Sequence, residues 1–198
     1  MSMTMNVLEE LIEANSHFRA NLPEDFNRPC NIPSKLPVKE IAFITCMDTR
    51  LVNFLEPALG IERGEAKVIK TAGNSVSGVF DGTIRSLLIC IYDLGVKEVF
   101  VIGHKGCGMA KASSDSLRSA MLKRGISEDA IIMIEKEMEM WTDEFQHPNQ
   151  NVKDSVRRIR HNPLIPKDVP IHGLMFDPDS GELDILVNGY NEIEKTDH

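Results

Sequence analysis

The sequence predicts an α/β fold: a mostly parallel central sheet flanked by helices, with an N-terminal helical arm and a C-terminal strand hairpin or edge extension. Three observations carry this expectation. Short apolar runs of strand length occur at residues 41–45, 66–71 and 98–102. Segments of helical length and periodicity fall between and after them, the alternation of a parallel sheet with crossover helices. Two last apolar runs, 171–176 and 182–187, flank Asp177-Pro178-Asp179-Ser180-Gly181, a string of turn formers.

Taken in order, residues 7–18 place Val7, Leu8, Leu11, Ile12 and Phe18 mostly on one helical face. Residues 21–37 then hold Pro23, Pro29, Pro33 and Pro37, which remove backbone donors and bar a continuous helix. Residues 1–37 therefore read as a helix and extended arm, part of the same domain or packed on a partner subunit, and residues 38–198 as the α/β domain. Ile41-Ala42-Phe43-Ile44-Thr45 is apolar throughout, as a strand buried on both faces requires. Val99-Phe100-Val101-Ile102 repeats that pattern before Gly103, and residues 83–94 form a helix closed by Gly95. Residues 121–141 and 151–161 are expected to be two further helices.

At 198 residues the chain can bury a sizeable core as one domain. A hydrophobic fraction of 42% with 26% charged residues is ordinary for a globular protein. The net charge of −8 disfavours binding to nucleic acid or to an anionic membrane. No apolar run approaches the ~18 residues of a membrane span, and Glu9, Glu10 and Glu13 stand where a signal peptide would be basic. A cytoplasmic location is expected. Cys30, Cys46, Cys90 and Cys107 are few and unevenly placed, which favours metal ligation over disulfide bridging.

Two groups stand directly after buried strands: Cys46-Met47-Asp48-Thr49-Arg50 and His104-Lys105-Gly106-Cys107. The carboxyl ends of parallel strands share one edge of a sheet, so residues this far apart in sequence can converge there. Two thiolates and an imidazole suit Zn2+, and three protein ligands leave a fourth position for water or substrate, the count of a catalytic site. Two thiolates also cancel the ion's formal charge, so other groups must favour or orient hydroxide. Alternation along an extended segment would point Cys46, Asp48 and Arg50 the same way. Arg50 could then hold Asp48 in bidentate geometry and keep it ionised while one carboxylate oxygen accepts a hydrogen bond from metal-bound water.

These groups, in this order and spacing, resemble the β-class carbonic anhydrases. Lys70-Thr71-Ala72-Gly73-Asn74, Gly82-Thr83-Ile84-Arg85-Ser86, Gly103-His104 and Val169-Pro170-Ile171-His172-Gly173-Leu174 extend the resemblance over roughly residues 38–190. It implies a zinc hydroxide attacking carbon dioxide, with bicarbonate leaving in exchange for water. It also implies homodimers or homotetramers, with the N-terminal helix laid over the partner. Cys46, His104 and Cys107 would be the metal ligands, and Asp48 and Arg50 the catalytic dyad. Plant-type members carry a glutamine nine residues before the first zinc cysteine, where this chain has Pro37. The chain looks closer to the shorter archaeal and Gram-positive bacterial subgroup, and its substrate contacts are expected at Gly73 and Asn74. In some members the arginine releases the aspartate, which then closes the metal site at lower pH. A related enzyme hydrolyses carbon disulfide on a similar site, so the motif by itself leaves that substrate open.

Other candidates have blander readings. Cys90 lies in an apolar helical run and reads as core, and Cys30 as a loop thiol. His172 begins a strand and reads as a structural hydrogen bonder, while His147, His161 and His198 stand among polar residues and read as solvated. Met133, Met138 and Met140 are expected to fill core, and Glu135, Glu137 and Glu139 to make a solvated face.

Overall fold

Five strands, β1 (Ile41–Cys46), β2 (Ala66–Thr71), β3 (Glu98–His104), β4 (Ile171–Phe176) and β5 (Leu183–Val187), form one sheet in the order β2-β1-β3-β4-β5. The computed structural model describes residues 6–22, 35–143, 145 and 147–193. The first four strands are parallel, and β5 returns antiparallel along β4 as the edge extension expected. Because β2 and β3 lie on opposite sides of β1, the chain reverses direction across the sheet between β1 and β3. Crevices open at such a point at the strands' carboxyl ends.

The helices are α1 (Val7–Ala20), α2 (Leu55–Ala58), α3 (Gly82–Tyr92), α4 (Ser114–Lys123), α5 (Glu128–Ile132), α6 (Glu135–Thr142), α7 (Pro148–His161) and α8 (Tyr190–Ile193). Alternation along the strands sends Ala42, Ile44, Val99, Val101, Ile171 and Met175 to one face, where they pack with Ile84, Leu87 and Cys90 of α3 and Val152, Val156 and Ile159 of α7. Phe43, Ile102, Leu174 and Phe176 line the other face with Leu51, Leu55 and Phe145. Each buried Val, Leu, Ile, Phe or Met side chain among them contributes roughly 1.5–3 kcal/mol by leaving water. Cys90 is thus core, as expected, and burial pushes its thiol pKa up.

Helix starts follow local chemistry. Asp81 caps α3 by accepting from the Ile84 amide at 2.8 Å, and Pro148 opens α7 at a position where no amide is needed. The single helix expected over 121–141 is three helices instead. Gly125, at φ 83, leaves helical space after α4, and the Ser127 hydroxyl then accepts from the Ala130 amide to start α5. In the methionine cluster only Met138 is buried; Met133 is 83% exposed and Met140 45%. Met133 caps the end of α5, and Met140, two residues from Met138 on α6, falls off that helix's buried face.

The chain divides into two compact units, Met1–Lys35 and Leu36–His198. In the first, α1 carries an Asn6–Glu9 capping box and buries none of its residues. Most of the proline-rich arm, with Cys30, lies outside the described residues, as does His198. Among the described residues no helix is long and apolar enough to cross a membrane.

Candidate metal centre

Cys46 ends β1 and His104 ends the neighbouring β3, and Cys107 follows two residues later as the cap of a short 3-10 turn, Gly108–Lys111. Their side chains are buried, and their donor atoms lie within 4.8 Å of one another. The two Sγ atoms are 3.9 Å apart. Tetrahedral zinc with bonds of about 2.3 Å to sulfur would separate two sulfurs by about 3.8 Å, so the pair is spaced for the ion. His104 Nδ1 lies 3.0 Å from the Lys105 carbonyl oxygen and donates to it, which fixes the tautomer. That leaves the Nε2 lone pair buried without a partner, an orphan that a metal would satisfy. Both the donor chemistry and the spacing fit a catalytic zinc.

The two thiols push each other's pKa in opposite directions. The contact with Cys107, against the cost of burial, holds Cys46 below the usual thiol range, helped by His104 and the Gly73 and Asp48 amides. The same contact and burial push Cys107 up. Burial opposes charge on His104, but Cys46, the Lys105 carbonyl and Asp48 together outweigh it and raise the imidazole. Both sulfurs would bind a metal as thiolates, releasing the proton they share.

Asp48 and Arg50 meet, although not as an extended segment would bring them together. β1 ends at Cys46, and Asp48 caps a 3-10 turn, Thr49–Leu51, so the alternation stops. The cap itself makes the pair. Asp48 Oδ1 accepts from the Arg50 amide at 2.9 Å and from Nε at 3.0 Å, and Oδ2 accepts from Nη2 at 2.9 Å. Arg50 holds the Asp48 carboxyl down to about 2. Asp48 Oδ2 is also 3.7 Å from His104 Nε2, beside the ligand cluster. A further bond from Arg50 Nη2 to the Gly106 carbonyl oxygen, 2.9 Å, anchors the guanidinium.

Gly73 and Asn74 follow β2 in left-handed conformations, φ 69 and 50. The Gly73 amide serves the Cys46 sulfur, and its carbonyl accepts from Asn151 Nδ2 at 2.8 Å. A Cβ on Gly73 would come within 2.5 Å of Phe145 Cε2. Asn74 is 1% exposed and its Nδ2 has no partner, an available donor. Sequence reading missed the Lys105 and Gly106 carbonyls, Phe145 and Asn151. Backbone oxygens leave no mark in a sequence, and the other two come from distant segments. His172 sits at the strands' amino ends, accepting from the Gly189 amide at 3.2 Å. His147 and His161 are exposed.

Residues 41–183 match the family model described as carbonic anhydrase. Putative carbonic anhydrase YtiB of Bacillus subtilis is 41% identical over 190 residues, 94% of this chain and 100% of that protein. Beta-carbonic anhydrase 1 of Mycobacterium tuberculosis is 33% identical over 183 residues, covering 92% and 97% of the two chains. The crystal structure of β-carbonic anhydrase isoform I from Trichomonas vaginalis superimposes with a TM-score of 0.87 at 46% identity, over 94% of this chain and all of that one.

Proposed function

The chain belongs to the β-class carbonic anhydrases and interconverts carbon dioxide and bicarbonate, and we propose that Cys46, His104 and Cys107 hold the zinc ion for that reaction while Asp48 and Arg50 form its catalytic pair. The observation that carries the ligand set is the buried trio itself, with sulfurs 3.9 Å apart and His104 Nε2 unpartnered. When bound, zinc supplies Lewis acidity that brings the pKa of water from about 16 toward 7.

The chain's own residues do the rest. The Lys105 carbonyl holds the His104 tautomer that leaves Nε2 free to ligate. The Gly73 amide steadies Cys46 as thiolate. Asp48, kept ionised by Arg50, accepts a hydrogen bond from the attacking oxygen species and orients its remaining lone pair toward carbon dioxide. Asn74 Nδ2, a buried donor without a partner, would contact a substrate oxygen, with Gly73 beside it in the chain.

We also infer that the enzyme works as a homodimer or a pair of dimers, with the arm of residues 1–37 packed on the partner. Val7, Leu8, Leu11 and Ile12 of α1 are all more than half exposed, an apolar stripe that a partner would cover. The acidic composition and sparse cysteines support a cytoplasmic location.

Stopped-flow carbon dioxide hydration tests the central reading. The purified enzyme should contain about one zinc per chain, lose activity to a chelator and regain it with zinc. A chelator-stripped protein that hydrates carbon dioxide at the native rate would overturn the metal assignment.

A further inference from the structure

Arg50 has two anchors, and only one of them is Asp48. Its Nη2 also donates to the Gly106 carbonyl oxygen at 2.9 Å. Gly106 sits at φ 65, and a Cβ built there would lie 3.5 Å from Arg50 Nη1. This anchor is therefore a left-handed glycine lying against the guanidinium, on a segment with little intrinsic stiffness. Something else must hold it.

The neighbouring Lys105 does so from both ends. Its amide donates to the Phe176 carbonyl at 2.9 Å, and its Nζ donates to Asp177 Oδ2 at 3.0 Å. Asp177 in turn organises the turn between β4 and β5. Its Oδ1 accepts from the Asp179 amide at 2.9 Å, its carbonyl accepts from the Gly181 amide at 2.8 Å, and its amide donates to the Glu182 carbonyl at 2.9 Å. Glu182 and Asp184 add to the negative field around Lys105. The turn reaches the catalytic pair as well, since the Asp179 carboxylate favours the charge on Arg50.

We propose that Lys105 and Asp177 are positioning residues for carbon dioxide hydration: their ion pair fixes the Lys105-Gly106 segment so that the Gly106 carbonyl holds Arg50, and through Arg50 the Asp48 carboxylate. The inference rests on the reading of Asp48 and Arg50 as the catalytic pair. Lys105 is 49% exposed at its side chain, and exposed ion pairs contribute little to folding. Loss of this one should show in turnover rather than in stability.

The experiment compares zinc-loaded native enzyme with Lys105→Met, Asp177→Asn, Lys105→Arg and Arg50→Ala. The measurements are kcat and KM by stopped flow, zinc content, Tm, and solvent exchange of the Arg50 Nε proton by NMR. Lys105→Met and Asp177→Asn should each keep zinc and Tm, lower kcat roughly 10-fold with little change in KM, and speed Arg50 exchange; Lys105→Arg should restore most of both. Should Lys105→Met fail to fold, the near-isosteric Asp177→Asn decides alone. Native kcat in the pair variants beside a slow Arg50→Ala overturns the proposal and leaves the catalytic pair standing. A kcat loss with native Arg50 exchange overturns it too, and native kcat in Arg50→Ala overturns both readings.

Discussion

Cys46 and Cys107 are alike in type, yet the contact between their sulfurs at 3.9 Å pushes their pKa values apart, Cys46 down and Cys107 up. Removing either should remove the metal: Cys107→Ser is expected to lose zinc and carbon dioxide hydration together, read by metal analysis and stopped flow. Arg50→Ala should behave differently, keeping zinc but losing roughly 10–100-fold in kcat, since it acts on a ligand's neighbour. It should also let the Asp48 carboxyl climb from about 2 toward its ordinary 3.8, measurable by carbon-13 NMR. The sign follows from linkage: a depressed carboxylate stabilises the fold above its ordinary pKa, and this is lost as pH falls toward 2. The five candidate residues that the structure brings together were legible in the sequence because ligand type and strand-end placement each constrain them. Their bond geometry was not, since it arises from the 3-10 turn that replaces the expected extended segment.

Helix α3 depends on one side chain beyond its own packing. Asp81 accepts from the Ile84 amide and, through Oδ2, from the Ser77 and Gly78 amides at 2.7 and 3.2 Å. Asp81→Ala should therefore cost about 1–2 kcal/mol, seen as a lower Tm with zinc retained, and should loosen the segment that follows Gly73 and Asn74. β1, β2 and β4 appear where their apolar runs predicted them, and β3 runs two residues further to include His104. The stretch over 121–141 does not, because its helical periodicity says nothing of a left-handed Gly125. A weak break of that kind is decided by whether neighbouring surfaces reward a change of direction.

Across the whole molecule, the metal end of the sheet is balanced by a second polar cluster at the strands' amino ends. His172 stacks on Phe100 at 4.7 Å, lies 2.9 Å from Glu98, and takes the Gly189 amide on Nδ1, while the Tyr190 hydroxyl donates to Glu98 at 2.6 Å. Burial lowers the His172 pKa from 6.5, outweighing the pull of Glu98. The unfolded chain then binds this proton more readily, so stability is full above pH 6.5 and falls as pH drops below it. Urea denaturation from pH 7.5 to 5 should show that loss, and His172→Gln should flatten it. Sedimentation of the full chain should give a dimer or larger, and a form lacking residues 1–37 a smaller species. By itself the sequence determined the α/β class, the strands and the candidates for the metal and catalytic residues, because residue type and periodicity are local properties. Only the tertiary structure decided how they act together: how close the two sulfurs lie, which carbonyl orients His104, and how the turn after β4 reaches Arg50. Those depend on backbone groups and on contacts between segments far apart in the chain, which side-chain chemistry in a linear sequence does not specify.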